Sequence, residues 1–220
     1  NVYVFWHADP TLKLGNEAGR TIFLASSQDD GKTFTRERDV VSESKGTCGC
    51  CGMRAFVDSS DRVYALYRTA NRGGRDMTLL QALAGAAKFT SISVNPWLVF
   101  TCPMSSSAFA EAGSTILLGT ERQGKVLIKS LDPKREVLTD AFEVSLGRRA
   151  KHPLIATNDR GEVLIAWQEG ASFNQGGELN YQIFDAAGKT IQPPKVAGKV
   201  ARFSLAAVFA DRDGNFEILF

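Results

Sequence analysis

No run of apolar residues in this chain approaches the roughly 20 needed to cross a bilayer, so no spanning helix is expected. Charge of one sign is not in excess either. Lys and Arg total 26 against 24 Asp and Glu, a formal net charge of +2. That balance implies no polyanion partner and argues against nucleic acid as the main ligand. Helical periodicity is poor, with one candidate turn around Leu79 to Ala87. A phosphate-binding glycine loop, a Gly-x-Ser-x-Gly elbow and a Ser-His-Asp order are all missing. Histidine is scarce, with His7 and His152 the two present. What is there is an ordinary globular composition, 44% hydrophobic and 23% charged. Twenty glycines, 10% aromatics and many short β-branched runs point to an all-β protein.

A motif of strand, polar turn and second strand recurs along the chain. It reads Arg54 to Val57, Asp58-Ser59-Ser60-Asp61, then Val63 to Tyr67. It returns as Pro153 to Ala156, Asn158-Asp159-Arg160-Gly161, Val163 to Trp167, and again as Ser204 to Val208, Asp211-Arg212-Asp213-Gly214, Phe216 to Phe220. A weaker copy surrounds Ala112-Gly113. The second strands begin near residues 2, 63, 116, 163 and 216, so successive gaps are 61, 53, 47 and 53. That spacing is the size of a four-stranded propeller blade. With strands named A to D from axis to rim, residues 1–45 are expected to supply B, C and D of one blade. Residues 46–100, 101–147 and 148–199 would be complete blades, and residues 200–220 the A and B strands of another. The whole chain then reads as a single β-propeller domain. A six-bladed ring would need roughly 100 residues more, so the expectation is a ring truncated at both ends.

Ser27-Gln28-Asp29-Asp30-Gly31-Lys32-Thr33-Phe34 follows the apolar strand Thr21 to Ala25. It matches the Asp box, Ser-x-Asp-x-Gly-x-Thr-Phe/Trp, and on this motif and the repeat the chain resembles the sialidase (neuraminidase) propeller family. Asp29 can accept backbone N–H groups within the turn, Gly31 permits a positive φ, and Phe34 is expected to tuck under the blade. In the resembled family this turn joins strands C and D on the face opposite the active site, as a folding staple. Cys48-Gly49-Cys50-Cys51-Gly52-Met53-Arg54, Tyr67-Arg68, Arg75-Asp76-Met77, Trp97 and Cys102-Pro103-Met104-Ser105 also resemble a group of uncharacterised bacterial sialidase-like proteins with a cysteine cluster.

If the Asp box marks one end of the blades, the B–C and D–A loops lie at the other. Those loops hold His7, Arg68, Asn71, Arg72, Arg75, Asp76, Glu121, Arg122, Gln168 and Glu169, and also Cys48, Cys50, Cys51, Arg54, Cys102, Ser105, Lys151 and His152. Loops on a rigid scaffold are where sites are built. The resemblance implies a glycoside or glycoconjugate ligand. Arg54, Arg68, Arg75 and Arg122 are the candidate carboxylate-binding group, with His152 beside them. Tyr67, Asp76 and Glu121 are the catalytic candidates of a sialidase-like hydrolase. The alternative reading is a non-catalytic propeller that binds a glycan, a protein or a soft metal through the same face. Trp167 is either a sugar-stacking platform or a core aromatic between blades.

All four cysteines fall in two adjacent D–A loops. A disulfide from Cys50 or Cys51 to Cys102, with Cys48 on the remaining thiol, would suit an exported protein in the periplasm or outside the cell. No cofactor is expected in that case. Ligation of copper or zinc by three or four thiolates, with Met53 or Met104, is the second possibility, although Cys-x-Cys-Cys is not a zinc-ribbon spacing. Unpaired thiols are the third.

Overall fold

The computed structural model describes residues 1–11, 17–41, 46–71, 73–142, 144, 149–172 and 174–220. Arg72 lies outside the described residues. Nearly all regular structure is β-strand, with one 3-10 turn at Glu17–Gly19, and the strands form five sheets. The chain divides into two compact units, Asn1–Pro103 and Met104–Phe220.

The first unit holds two sheets. One has the order β1 (Val2–Ala8), β2 (Thr21–Ser27), β3 (Arg38–Asp39). The other runs β4 (Arg54–Val57), β5 (Arg62–Arg68), β6 (Met77–Leu83), β7 (Thr90–Asn95). Each strand pairs antiparallel with its sequence neighbour. Ile22, Leu24 and Val40 of the first sheet pack on Ala65, Tyr67 and Leu80 of the second. The candidate helical turn near Leu79 is strand β6 and the tight turn that follows it. Leu79, Leu80 and Gln81 are all buried. Such a run on both faces of a strand carries no period-2 signal, which is why it imitates a helix segment.

The second unit continues the pattern with β8 (Ala108–Ala112), β9 (Thr115–Arg122), β10 (Lys125–Asp132) and β11 (Val137–Phe142). Then come β12 (Ala150–Thr157), β13 (Val163–Glu169), β14 (Gly177–Phe184) and β15 (Thr190–Val200), and a final pair β16 (Ala207–Ala210), β17 (Phe216–Leu219). Leu117, Val126 and Ile128 pack on Ile155, Ile165 and Trp167, so the two four-stranded sheets share one core. Trp167 is fully buried, with its indole N–H donated to Glu169 Oε1 at 2.9 Å. It is the core aromatic and not a stacking platform. Up-and-down four-stranded sheets repeated in sequence are blade topology, and the fold class is all-β, consistent with a partial β-propeller.

The recurrent polar turns have one shared mechanism. Asp58 Oδ1 accepts the N–H of Ser60 and Arg62, Asn158 Oδ1 those of Arg160 and Glu162, and Asp211 Oδ1 those of Asp213 and Asn215. Asp185 does the same for Ala187 and Lys189 between β14 and β15. A short side-chain acceptor thus satisfies the turn's own donors at i+2 and i+4. Between β2 and β3, Asp29 accepts Ser27 Oγ, Thr33 N and Thr33 Oγ1 at 2.7, 2.9 and 2.7 Å. Gly31, at φ +85°, donates its N–H to Ser27 Oγ. The Ser27 hydroxyl and Thr33 hold the Asp29 carboxyl down to about 2. Phe34 departs from expectation. It is 46% exposed, because its ring lies beside Gly31, with Cζ 3.9 Å from where a Cβ there would sit, and not under the sheet.

Candidate functional site

In the first unit the polar loop residues meet around Glu17. Its Oε1 accepts the Gly49 N–H at 2.7 Å, and its Oε2 accepts Arg75 Nη2 at 3.3 Å. Arg20 stands 3.8 Å from the same carboxylate. Gly46 makes this convergence possible. It sits at φ +68°, and a Cβ would lie 2.7 Å from Ala18 Cα, Ala70 O and Glu17 O. His7, half-buried in β1, has its pKa lowered by burial and then by Arg20, with Glu17 opposing. Nothing in the sequence singles out Glu17, since its partner Arg75 is 58 residues away.

Arg68 and Arg75 are brought together, but both serve the fold. Arg68 is 1% exposed, lies 5.3 Å over the Trp97 ring and donates Nη1 to Arg75 O. Asp76 Oδ1 accepts the Trp97 N–H at 2.6 Å, while its own N–H goes to Thr69 Oγ1. That fixes the β5–β6 loop to the end of β7. Tyr67 lies in the core at 2% exposure, and burial pushes its phenol up to about 12 against a hydrogen bond with Thr78. A phenol so placed is a poor nucleophile. Arg54 is exposed at the start of β4.

The four cysteines also converge. Cys50 and Cys102 are joined as a disulfide, and Cys48 and Cys51 are thiols. Cys48 is fully buried and Cys51 nearly so. The Cys51 side chain and the backbone N–H groups of Cys50 and Cys51 hold the Cys48 thiol down to about 6, against burial. Met53 packs on the hydrophobic core of this unit instead.

In the second unit a separate polar group forms at the loop end of β9, β12 and β13. Ala150 donates its N–H to Gly124 O, tying the β9–β10 turn to the start of β12. Lys151 is paired with Gln168, and the register then shifts before Leu154. The bulge puts His152 at φ +52°, a strained region for a non-glycine residue. His152 Nδ1 accepts the Ser106 N–H at 3.2 Å and stands 3.2 Å from Ser106 Oγ, while the backbone N–H of His152 is donated to Ser105 Oγ at 3.1 Å. Glu121, 1% exposed, accepts the Gly124 N–H through Oε1 at 2.7 Å. Gln168 Nε2 and Arg122 Nε are buried donors without a hydrogen-bond partner among the described residues. Groups of this kind are costly unless something outside the chain completes them.

A cleft of about 380 Å³ in the same unit is elsewhere. It is lined by the turn segments Ala112–Gly113, Asn158–Gly161 and Ala186–Gly188, the end opposite His152. The self-satisfied turn backbones there offer little to a ligand, and a second cleft of about 650 Å³ lies along Lys125–Ile128 and Asp140–Phe142.

No family model and no curated protein matches the sequence. Solved structures do match by shape. An α-L-arabinofuranosidase from Fusarium graminearum, in complex with an iminosugar inhibitor, superposes with a TM-score of 0.61 at 10% identity over 90% of this chain. The NanB sialidase from Streptococcus pneumoniae gives 0.54 at 15% identity over 90%. Hydrazine synthase of Kuenenia stuttgartiensis gives 0.57 at 13% over 92%. The fold is that of the sialidase- and arabinanase-like propellers. This chain spans 66%, 32% and 50% of those three in turn, and their differing chemistry illustrates that a propeller does not fix an activity.

Proposed function

We propose that the chain is a carbohydrate-binding part of a sialidase- or arabinanase-like propeller, taking a glycan at the loop end of its second unit. The observation that carries this is the pair of buried donors, Gln168 Nε2 and Arg122 Nε, which have no hydrogen-bond partner among the described residues, at the ends of β13 and β9 next to the start of β12, where the strained His152 lies. Sugar hydroxyls are paired donors and acceptors on a rigid ring, the partners that planar amide and guanidinium groups fit. Glycan-processing neighbours with the same fold support the ligand class. Export belongs to the proposal on the ground of the Cys50–Cys102 disulfide, which suits an oxidising compartment.

Hydrolysis is the second reading, favoured by the buried Glu121 carboxylate at the same end. Calorimetric titration with arabino- and sialo-oligosaccharides tests binding, and a panel of aryl glycosides tests turnover. Saturable heat lost in Gln168→Met and His152→Ala is the expected result. Absence of binding to every glycan in a broad array would sink the proposal.

A further inference from the structure

We propose that Cys48, Cys50, Cys51 and Cys102, when all are reduced, form a four-sulfur site for one tetrahedral divalent cation of the zinc type. This goes beyond the carbohydrate reading and does not depend on it. The four Sγ atoms lie within 4.8 Å of one another. Cys48 stands 3.4 Å from Cys50 and 3.6 Å from Cys102, and Cys51 stands 3.8 Å from Cys102. In a tetrahedron with metal–sulfur bonds of about 2.3 Å the sulfurs are about 3.8 Å apart. Three of the six edges are therefore near tetrahedral length already, the bonded Cys50–Cys102 pair has to part, and the remaining two lie within 4.8 Å. Four sulfurs in that geometry select zinc over the harder divalent ions.

The surroundings suit an anionic thiolate set. The cysteine loop is pinned by its backbone, with Cys48 N donating to Arg68 O at 2.9 Å and Gly49 N to Glu17 Oε1. Cys48 and Cys51 thereby gather in a small buried cluster with Ala70, with Cys102 packed against it. Backbone N–H groups of Cys50 and Cys51 are directed at the Cys48 sulfur, the outer contact that steadies a ligand thiolate. A zinc ion with four thiolates carries a net charge of −2. Arg20 lies against Gly49, where a side chain would overlap its guanidinium, and Arg75 reaches the same loop through Glu17. Arg20, Arg75 and the Glu17 carboxylate between them sum to a single positive charge, with Glu17 itself opposing a thiolate at Cys48.

Metal and disulfide exclude each other. A phosphine opens the Cys50–Cys102 bond by taking oxygen from water, and the two protons of that water go to the sulfurs. Binding then releases the protons of the sulfurs that are still thiols, so that all four become thiolates on the ion. In the other direction, a disulfide oxidant that takes two electrons from two of the sulfurs is itself reduced to two thiols and expels the ion.

The test uses the whole 220-residue chain, reduced with a phosphine under argon, freed of reductant and titrated with cobalt(II) and then zinc. One equivalent of cobalt should produce intense visible bands and a thiolate charge-transfer band, both erased by one equivalent of zinc. Cys48→Ser and Cys102→Ser should each lose them. Because either variant can disturb the loop, wild-type alkylation is read as well: zinc should protect the exposed Cys50 from iodoacetamide. Weak six-coordinate cobalt bands, uptake well below one equivalent, or Cys50 labelling indifferent to zinc would each overturn the site.

Discussion

The two ends of these sheets treat polar side chains differently. At the turn end, Asp58, Asn158, Asp185 and Asp211 close on their own backbone, each making the same two bonds. At the loop end no pattern repeats. Bonds there run between distant segments, as from Gly49 to Glu17 or Ser106 to His152, and some buried donors have no partner among the described residues. Repetition marks chemistry that every blade needs for folding. Its absence marks places free to differ, where a ligand can be accommodated. Within the loop end, the first unit's arginines reach Glu17, Trp97 and main chain while Arg75 Nε keeps a donor without a partner, whereas in the second unit Arg122 Nε and Gln168 Nε2 have no hydrogen-bond partner among the described residues and no ion pair holds either side chain there.

The largest expected effect sharpens that last contrast. Gly46→Ala forces a left-handed non-glycine residue against three backbone atoms at 2.7 Å. It should cost about 3 kcal/mol in urea unfolding, since the first unit's loop end is structurally locked. A change below about 0.5 kcal/mol would show that the Glu17 hub is loose. Next comes the turn end. Asp58 is buried and holds Ser60 N, Arg62 N and Tyr64 Oη. Asp58→Ala should therefore cost about 2–3 kcal/mol and leave glycan binding unaltered.

A smaller effect follows from acid. The Asp29 carboxyl is held at about 2 against an ordinary 3.8 by Ser27 and Thr33. Its folded pKa is depressed, so its contribution to stability is complete above 3.8 and disappears as pH falls toward about 2. Asp29→Asn should flatten the decline of the unfolding midpoint across that window. Part of the slope should survive, because Asp132, Glu162 and Asp211 are lowered too, chiefly by hydrogen bonds from Arg135, Asn158 and Asn215. An unchanged slope would mean the bonds from Ser27 and Thr33 to Asp29 persist in the unfolded chain or do not form. The smallest effect on stability is Gln168→Met, a swap of similar volume at a donor with no partner, expected within about 0.5 kcal/mol of wild type or slightly stabilising.

How much could be read beforehand follows the same division. Blade phase and turn chemistry were legible because they are local: an Asp or Asn followed by Gly or Asp between two apolar runs specifies its own hydrogen bonds. The meeting of the cysteines was legible as two loops in equal register, but the choice of Cys50 for the bond to Cys102 depends on loop geometry. Tyr67 is a catalytic candidate through the family resemblance, and that both faces of β5 are buried is something sequence alternation cannot reveal in a blade packed on two sides. Glu17 and the His152 bulge were illegible, since one depends on contacts many residues apart and the other on a register shift. Phe34 was misplaced because the motif fixes the turn backbone and leaves the ring direction to its neighbours.

The most direct measurement is a calorimetric glycan titration of wild type and Gln168→Met side by side, with unfolding midpoints recorded on the same samples. The account predicts saturable binding in wild type, its loss in the variant, and equal midpoints. Equal binding by both proteins would contradict the claim that the second unit's loop end, around Gln168 and Arg122, is the site.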